Sequence, residues 1–335
     1  MRNREGDEYM RRARIIGVGS YHPKNLITNE ELSKRIGEPI SINFEKKVGI
    51  LQRYITGPDE STADLAYEAA KRALEMANVS PKGIDLIILA TDTPEYITPP
   101  TSAIVQGRLG AINAGFFDIN ASCAGFAGSL AVASKMIMAD DSLNKVLVIG
   151  AYNMSKFVDY NTPGLSAIFA DGGGAVVLTS TEEDAGFLAS KFIGDGTQYD
   201  FLGIYDGGAK NPFRRDNPKD QLLTSLKPLP PDRNLKMWPP LVKEVVEKAG
   251  YKVKDIDHIF FTQINKSVIL EVMDTLGLDR SKTTTIMEKY GYTGSACLPM
   301  ALDDAVKNNR IKKGDLIVFV GSGVGFSMAA SAFIY

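Results

Sequence analysis

Two stretches of the chain, residues 73–93 and 244–264, contain the same parts in the same order. Each has a helical segment, a short loop, Ile-Asp and then an apolar, β-branched run. Further on, VLVIGA at 146–151 matches IVFVGS at 317–322, and the offset stays at 171 to 172 residues. A fixed offset between similar segments is typical of a duplicated structural unit. The sequence therefore predicts two similar halves.

The local patterns within each half predict α/β structure. Short apolar runs such as DLIILA and KVLVIGA are typical of buried strands, and residues 61–79 have helical spacing after a Ser-Thr-Ala-Asp start. Alternation of strands and helices indicates sheets covered on both faces. We predict a charged tail over 1–12, an N-terminal half over 13–180 and a C-terminal half over 181–335. The Pro-rich residues 206–240 are interpreted as a long surface loop.

Composition excludes several classes of function. A net charge of −2 gives no basic field for nucleic acid, and we find no apolar run near the roughly 18 residues of a membrane span. The two cysteines, Cys123 and Cys297, make no disulfide framework, so we expect a cytoplasmic protein. The two histidines, His22 and His258, have no ligand spacing with them, so we expect no metal site.

Cys123 is the candidate nucleophile. It follows the predicted strand 116–120 and opens the predicted helix 124–139 among Ala, Ser and Gly. A helix N-terminus stabilises a thiolate and lowers the pKa of a cysteine, so we expect a low pKa here. The alternative is a small buried apolar residue, which is what most free cysteines are. Cys297, in the matching helix, is expected to be such a core residue.

A thioester substrate suits this sulfur, because the covalent intermediate is a thioester of similar energy. An oxyanion must then be stabilised. The glycine turn VGSGVGFS at 320–327 follows a predicted strand and is expected to supply a backbone N–H, from Gly323 or close to it. A glycine turn alone is common, but this one begins at the end of the run IVFVGS, which matches the run VLVIGA in the first half.

Several motifs together resemble the β-ketoacyl-ACP synthase III family of the thiolase superfamily. They are GVGSYHPKNLITNEEL (17–32), DINASCAGFAGSL (118–130), IFADGGGAVVL (168–178), KYGYTGSACLPMALDDA (289–305) and GSGVGFSMAA (321–330). The resemblance runs from about residue 13 to the C-terminus. It implies a five-layered αβαβα thiolase fold of two pseudo-symmetric halves, a homodimer, and an acyl-thioester on Cys123.

Two positions depart from the family pattern. Members that condense by decarboxylation carry His in a Pro-His-Gln-Ala-Asn stretch and Asn in a Tyr-Gly-Asn-Thr-Ser stretch. Here the stretches read FTQIN and YGYTG, which places Thr262 at the His position and Tyr292 at the Asn position. Asn265 keeps the register and is expected to contact substrate. Hydroxyls donate hydrogen bonds but carry no positive charge, so the decarboxylative reaction should be impaired unless substrate binding is rebuilt around Tyr292.

The resemblance also bears on the acyl donor. The family's adenine-stacking tryptophan is absent near 43–47, where Phe44 is the only aromatic residue. Thr98 replaces a phenylalanine that in many members reaches into the partner subunit's acyl pocket. Four basic residues are candidates to meet phosphopantetheine phosphates, although each is also explained as surface charge: Lys47, Arg53, Arg214 and Arg215.

These observations predict an acyltransferase of fatty acid or polyketide biosynthesis. It would load Cys123 from acyl-CoA or an acyl carrier protein and pass the acyl group to an acceptor, by atypical condensation or by O- or N-acyl transfer. No permanently bound cofactor, nucleic acid or membrane is expected. The alternatives are a non-catalytic partner subunit of an active condensing enzyme, against which the intact cysteine motif argues, and a thioesterase.

Overall fold

The computed structural model describes residues 11–161, 163–212 and 222–335. The predicted tail lies almost entirely outside these ranges, and its last residue, Arg12, already begins the first strand. Arg214 and Arg215 also lie outside the described residues.

The α-helices confirm most of the predicted segments. The helix predicted over 61–79 spans Thr62–Ala77 and begins after Ser61, which makes a reciprocal capping box with Asp64. The loop predicted over 206–240 is wrong in its last part, because a helix begins at Arg233 and buries Trp238. The α-helices of the described residues are α1 (Asn29–Ile36), α2 (Ile42–Val48), α3 (Thr62–Ala77), α4 (Thr101–Leu109), α5 (Gly125–Ala139), α6 (Arg233–Lys248), α7 (Lys266–Thr275), α8 (Met287–Tyr290) and α9 (Cys297–Lys307).

The strands include every apolar run singled out in the sequence. They are β1 (Arg12–Tyr21), β2 (Asn25–Thr28), β3 (Gln52–Ile55), β4 (Leu86–Ala90), β5 (Gly115–Ile119), β6 (Lys145–Asn153), β7 (Asp171–Thr181), β8 (Gly186–Gly194), β9 (Leu202–Gly203), β10 (Thr224–Ser225), β11 (His258–Phe261), β12 (Leu316–Gly323) and β13 (Ser327–Ile334).

The two large sheets show the duplication directly. One has the order β1-β7-β6-β4-β5 and the other the order β11-β12-β13-β8. In each, a parallel pair (β4 with β6, β11 with β12) continues into two antiparallel strands. The counterpart of β5 in the second sheet is reduced to one parallel bridge between Ile259 and Thr283. The predicted repeat is therefore confirmed at the level of strand order.

The helices and sheets form five layers. Helices α3 and α4 cover one face of the first sheet, and α6 packs on the second sheet with α7 beside it. Between the sheets lie α5, which contacts both of them, and α9. The order helix, sheet, helix, sheet, helix is the predicted αβαβα thiolase fold.

Helix α5 has the composition that this central position requires. Nearly all of its first ten residues are fully buried, and Ala, Gly and Ser let two sheets approach it closely. With the preceding turn it forms one 18-residue segment, Ser122–Ala139, that is long and apolar enough to cross a membrane, and 67% of that segment is buried inside the protein. The expectation that no apolar run approaches this length is therefore wrong, and burial between two sheets explains the composition.

Candidate active site

Cys123 lies in a tight turn between β5 and α5. Strand β5 ends at Ile119, a 3-10 turn spans Ser122–Ala124, and α5 begins at Gly125. Ser122 adopts a positive φ of 48°, a conformation that a non-glycine residue rarely takes, and its N–H is held by the side-chain oxygen of Asn120. The predicted position of Cys123 at the helix start is confirmed. A strained turn of this kind presents a side chain at the end of a sheet.

Two further residues reach Cys123 from the neighbouring strands of the first sheet. Ala90 in β4 pairs with Ile119 in β5 and with Gly150 in β6, so the three strands end at the same edge. Asp92 follows β4 two residues beyond that level, and Tyr152 lies two residues beyond it in β6. Side chains at the carboxyl ends of adjacent parallel strands converge, which is why such edges hold binding sites.

The second half contributes the opposite wall. Thr262 follows β11 and is anchored there, since its N–H donates to Val320 and its side-chain oxygen accepts from the N–H of Ser322 at 2.8 Å. Because the Thr262 oxygen accepts that bond, its hydroxyl hydrogen is left to donate elsewhere. Tyr292 is held by backbone bonds to Ile168 (3.0 Å) and Ala170 (2.9 Å). The duplication thus brings one set of residues from each half to a common centre.

These residues line one cavity of about 50 Å³. Its polar wall consists of Asp92, Cys123, Tyr152, Arg233, Asn234, Thr262, Tyr292, Ser322 and Gly323. Its apolar wall consists of Met154, Phe169, Leu202, Leu223, Leu229, Ile264 and Val324. Cys123 is only 6% exposed, but it faces this space, so the alternative of a sealed core cysteine is not supported. A polar centre beside an apolar wall suits an acyl thioester.

The expected low pKa of Cys123 is wrong. Burial raises the pKa of the Cys123 thiol well above its ordinary value, and the negative charge of Asp92 raises it further. The Tyr292 hydroxyl, within hydrogen-bonding reach of the sulfur, lowers the pKa but does not offset burial. Loss of water around the thiolate outweighs the helix terminus. Burial therefore favours the thiol form of Cys123, and an attack by its sulfur would need another group to accept the proton.

Gly323 ends β12 against the Cys123 turn. A Cβ atom built on Gly323 would lie 2.7 Å from the Ala121 carbonyl oxygen and 3.1 Å from the Cys123 nitrogen, so only glycine allows this approach. The backbones of Gly323 and Cys123 therefore run side by side at the sulfur. Backbone N–H groups can stabilise a developing negative charge, and the oxyanion role of Gly323 stays a prediction.

Other predicted site residues lie away from the cavity. Phe44 is half-buried and packs against the core, while Lys47 on the same helix, α2, is exposed. Thr98 is exposed and does not line the cavity of its own chain. Asn265 also lies outside it, where its side-chain oxygen accepts from the N–H of Val268 and caps α7. Substrate contacts by these four residues stay predictions.

The prediction for Arg53 is wrong. Its side chain is fully buried, and its guanidinium donates to the backbone oxygens of Ile27 and Ala167 and to the side chain of Asn29. Burial also lowers the pKa of Arg53 to about 10. A guanidinium held in this way joins β2, α1 and the turn at Ala167, and it has no access to a phosphate in solvent.

The remaining cysteine and the histidines do not take part. Cys297 begins α9, the helix of the second half that corresponds to α5, and it is fully buried in the core, as predicted. His258 begins β11 and pairs with Thr284 at 2.8 Å, and burial lowers the pKa of His258 to about 4. His22 packs between the rings of Tyr54 and Tyr290. Neither histidine lines the Cys123 cavity.

Sequence reasoning missed Asp92, Tyr152, Arg233 and Asn234. A signal for Asp92 was present, because it directly follows the buried run LIILAT, at the carboxyl end of a predicted strand. Recognising it required the knowledge that this strand lies beside β5. Arg233 and Asn234 fell within the stretch interpreted as loop, so their place on a helix facing the cavity was not predicted.

Comparisons with known proteins agree with the fold. Two family models match, 3-oxoacyl-[acyl-carrier-protein] synthase III over residues 117–196 and its C-terminal part over 246–335. The β-ketoacyl-[acyl-carrier-protein] synthase III of Clostridium perfringens is 39% identical over 96% of this chain and 99% of its own length.

Solved structures give the same result. The 3-oxoacyl-[acyl-carrier-protein] synthase III of Aquifex aeolicus superposes with a TM-score of 0.86 at 33% identity, covering 96% of this chain and 100% of that one. The priming β-ketosynthase of the R1128 polyketide biosynthetic pathway superposes with a TM-score of 0.87 at 30% identity, covering 96% of each chain. With a nucleophile turn, a duplicated α/β fold and full-length relatives in agreement, this chain belongs to the 3-oxoacyl-[acyl-carrier-protein] synthase III family of acyltransferases.

Proposed function

We propose that the protein loads an acyl group onto Cys123 from a thioester donor and passes it to an acceptor by a route that does not depend on a histidine and asparagine pair. The observation that carries the proposal is the composition of the cavity. Cys123 faces Thr262 and Tyr292, the residues that the family resemblance aligns with that pair, and neither histidine of the chain lines the cavity. The apolar wall suits the acyl chain.

Acyl loading is the step that the site supports best. Attack by sulfur on a thioester needs an oxyanion site and a way to move one proton, whereas decarboxylation also needs strong donors for the enolate oxygen. The Gly323 backbone beside the Cys123 turn supports an oxyanion site, and the polar groups of the cavity support the movement of a proton. The acceptor is then a carbon nucleophile in an atypical condensation, or an oxygen or nitrogen nucleophile.

The test is intact-protein mass spectrometry after incubation with acyl-CoA and, in parallel, with acyl carrier protein. We expect a mass increase equal to one acyl group in the wild type and none in Cys123→Ala, because the alanine variant removes only the sulfur. Equal labelling of both proteins would place the acyl group elsewhere, and no labelling of either would favour a non-catalytic partner subunit. A signal that decays in buffer without acceptor would indicate a thioesterase.

We propose that an acyl carrier protein is the preferred donor, and the parallel incubations with acyl-CoA and acyl carrier protein test this. The single tryptophan, Trp238, is buried and stacks on Phe261, so it cannot stack on an adenine. Phe44 and the exposed Lys47 on α2 lie in the stretch where the resemblance expects the family's adenine-stacking tryptophan. Faster loading from the carrier than from CoA would support this preference.

We also propose a homodimer formed along β5. This strand is one of the two edge strands of the five-stranded sheet in the described residues, and its residue Phe116 is exposed. Ile97 and Ile112 are exposed nearby in sequence, at 82% and 70%. An unpaired edge among exposed apolar side chains is a template for pairing, and a second copy of the chain offers the same edge. Such pairing would bring Thr98 to the partner's surface, as the resemblance implies.

The dimer prediction is tested by light scattering on size-fractionated protein. Phe116→Asp places a charge at the paired edge, and we expect the mass to fall from two chains to one. Tyr251→Asp is the matched control, because Tyr251 is an exposed aromatic residue of the second half. A wild type that is already monomeric, or a Phe116→Asp variant that stays dimeric, would contradict the proposed interface.

A further inference from the structure

Asp92 is a partly buried residue, and one oxygen of its carboxyl group, Oδ1, is sequestered from solvent. Its Oδ1 is buried and has no hydrogen-bond partner among the described residues. Leaving a buried polar atom unsatisfied is costly, more so for a charged one, so such an atom in a native structure needs an explanation, and a catalytic role is one. By contrast, the buried carboxylate of Asp171 accepts bonds from Thr56 and Ser155. Asp92 therefore differs from an ordinary structural aspartate.

Asp92 also lies in the cavity of Cys123. Both residues follow adjacent parallel strands, β4 and β5, at the edge where those strands end. Both side chains line the same cavity, and the negative charge of Asp92 adds to the effect of burial in raising the pKa of Cys123. Two acids that share a buried site resist losing both protons. The pair therefore holds one proton near neutral pH.

We propose that Asp92 is the catalytic base and acid for Cys123, and that one proton moves between the carboxyl group and the sulfur in both half-reactions. The inference rests on the proposed function and deepens it. In acylation, the Asp92 carboxylate accepts the thiol proton while sulfur attacks the donor carbonyl. As the donor C–S bond breaks, Asp92 returns that proton to the leaving thiolate, so the donor departs as a thiol and the carboxylate is restored.

The second half-reaction runs in the opposite direction. An acceptor carrying a removable proton attacks the Cys123 thioester while the Asp92 carboxylate accepts the proton. The C–S bond then breaks, and Asp92 gives the proton to the departing Cys123 sulfur. Each cycle exchanges one acyl group for one proton, without oxidation, reduction or loss of carbon dioxide. The proposal therefore implies an acceptor whose nucleophilic atom carries a removable proton, and not an acceptor that must first lose a carboxyl group.

The other groups around the pair are poorly suited to the task. Burial raises the pKa of Tyr152 and of Tyr292 well above the ordinary value, so both hydroxyls stay protonated at neutral pH. Arg233, from α6, is a cation and accepts no proton. The raised pKa of Asp92, about 6 because of burial, places its titration close to the working pH, where a general base is most effective.

The test compares two reactions of the same sulfur in Asp92→Asn. Acylation by a thioester needs the proton to be moved twice, and we expect its rate to fall by about 10²–10⁴-fold. Alkylation by iodoacetamide needs only the thiolate. Because Asp92→Asn removes a neighbouring negative charge, the pH midpoint of alkylation should shift to lower pH, and alkylation at pH 7 should become faster.

Opposite changes in the two rates separate proton transfer from damage to the fold. Parallel losses in both rates would overturn the proposal, as would acylation at the wild-type rate. Asp92→Glu should restore part of the acylation rate that Asp92→Asn loses. Equal acylation rates in the Asn and Glu variants would also count against the proposal. Wild-type acylation should rise with pH around a midpoint near 6 as Asp92 ionises, and Asp92→Asn should lose that rise.

The result also distinguishes this inference from the proposed function. If the wild type loads acyl groups and Asp92→Asn loads them equally fast, the function stands and the role of Asp92 is wrong. If no donor loads the wild type, the function itself is wrong. Alkylation then still tests the electrostatic coupling between Asp92 and Cys123. An unshifted pH midpoint in Asp92→Asn would overturn this coupling.

Discussion

Carbon dioxide release from a malonyl carrier by the acyl-loaded protein is expected to be about 10⁴–10⁶-fold slower than for a family member that carries histidine and asparagine. Removing one donor to an oxyanion typically costs about 10²–10³ in rate, and the family resemblance places Thr262 and Tyr292 at the positions of both donors. Thr262 and Tyr292 both line the cavity, but both are neutral donors. Tyr292 stays neutral because burial raises its pKa.

No other imidazole can substitute in this structure. His258 lies four residues before Thr262 and begins β11, so about 13 Å of strand separates the two α-carbons. Its ring is engaged with Thr284. The measurement is release of labelled carbon dioxide with the wild type, with a family member measured side by side, and with Cys123→Ala as background.

A gain-of-function variant gives the prediction its sharper form. Thr262→His together with Tyr292→Asn should raise carbon dioxide release by at least about 10²-fold, because one charged and one amide donor return. Replacing the buried Tyr292 leaves a cavity and costs stability, so acyl loading of Cys123 serves as the control for folding. Rapid release by the wild type would contradict the prediction and show that the two hydroxyls suffice.

The sequence predicted the parts of the fold that depend on pattern and spacing. The apolar runs, the capped helix α3 and the repeat were all readable, because buried strands and helix starts leave local signals. The nucleophile turn was readable for the same reason, since a strand, small residues and a helix follow one another within 25 residues of Cys123. These features need no knowledge of distant contacts.

Helix α6 shows where local rules give way. Pro239 and Pro240 lie inside it and argue against a helix, because proline lacks the N–H that the helix interior needs. The helix forms nevertheless, since Trp238, Leu241 and Val242 are buried against the second sheet and its neighbours. Tertiary packing outweighs the local cost of the prolines, and no pattern within the segment reveals that packing.

The ionisation of Cys123 and the place of Asp92 were not predictable for a related reason. The helix terminus is visible in the sequence, but the depth of burial and the neighbouring charge are not. Asp92 and Cys123 are 31 residues apart, and only the parallel pairing of β4 with β5 brings them together. Which charges surround a residue in a cavity depends on the order of the strands in the sheet, and that order cannot be read from a single sequence.

Replacement of Arg53 is the second large effect that we expect, and it concerns stability instead of binding. Arg53→Met keeps much of the side-chain volume but leaves the oxygens of Ile27, Asn29 and Ala167 without their donor. Unsatisfied buried acceptors cost about 1–3 kcal/mol each, so the free energy of unfolding should fall by about 2–5 kcal/mol, with partial relaxation. Urea denaturation followed by fluorescence of Trp238 measures the change.

Lys47→Met is the matched control, because it removes another basic side chain that was a candidate for phosphate binding. Lys47 is exposed on α2, so its replacement should change the free energy of unfolding by no more than about 0.5 kcal/mol. Sequence reasoning made both Arg53 and Lys47 candidates for phosphate binding, and the two variants show whether each residue acts on stability or not. If Arg53→Met instead left stability unchanged and raised the KM for a carrier-bound donor, Arg53 would belong to the substrate path, and its burial among backbone oxygens would describe a state that opens during turnover.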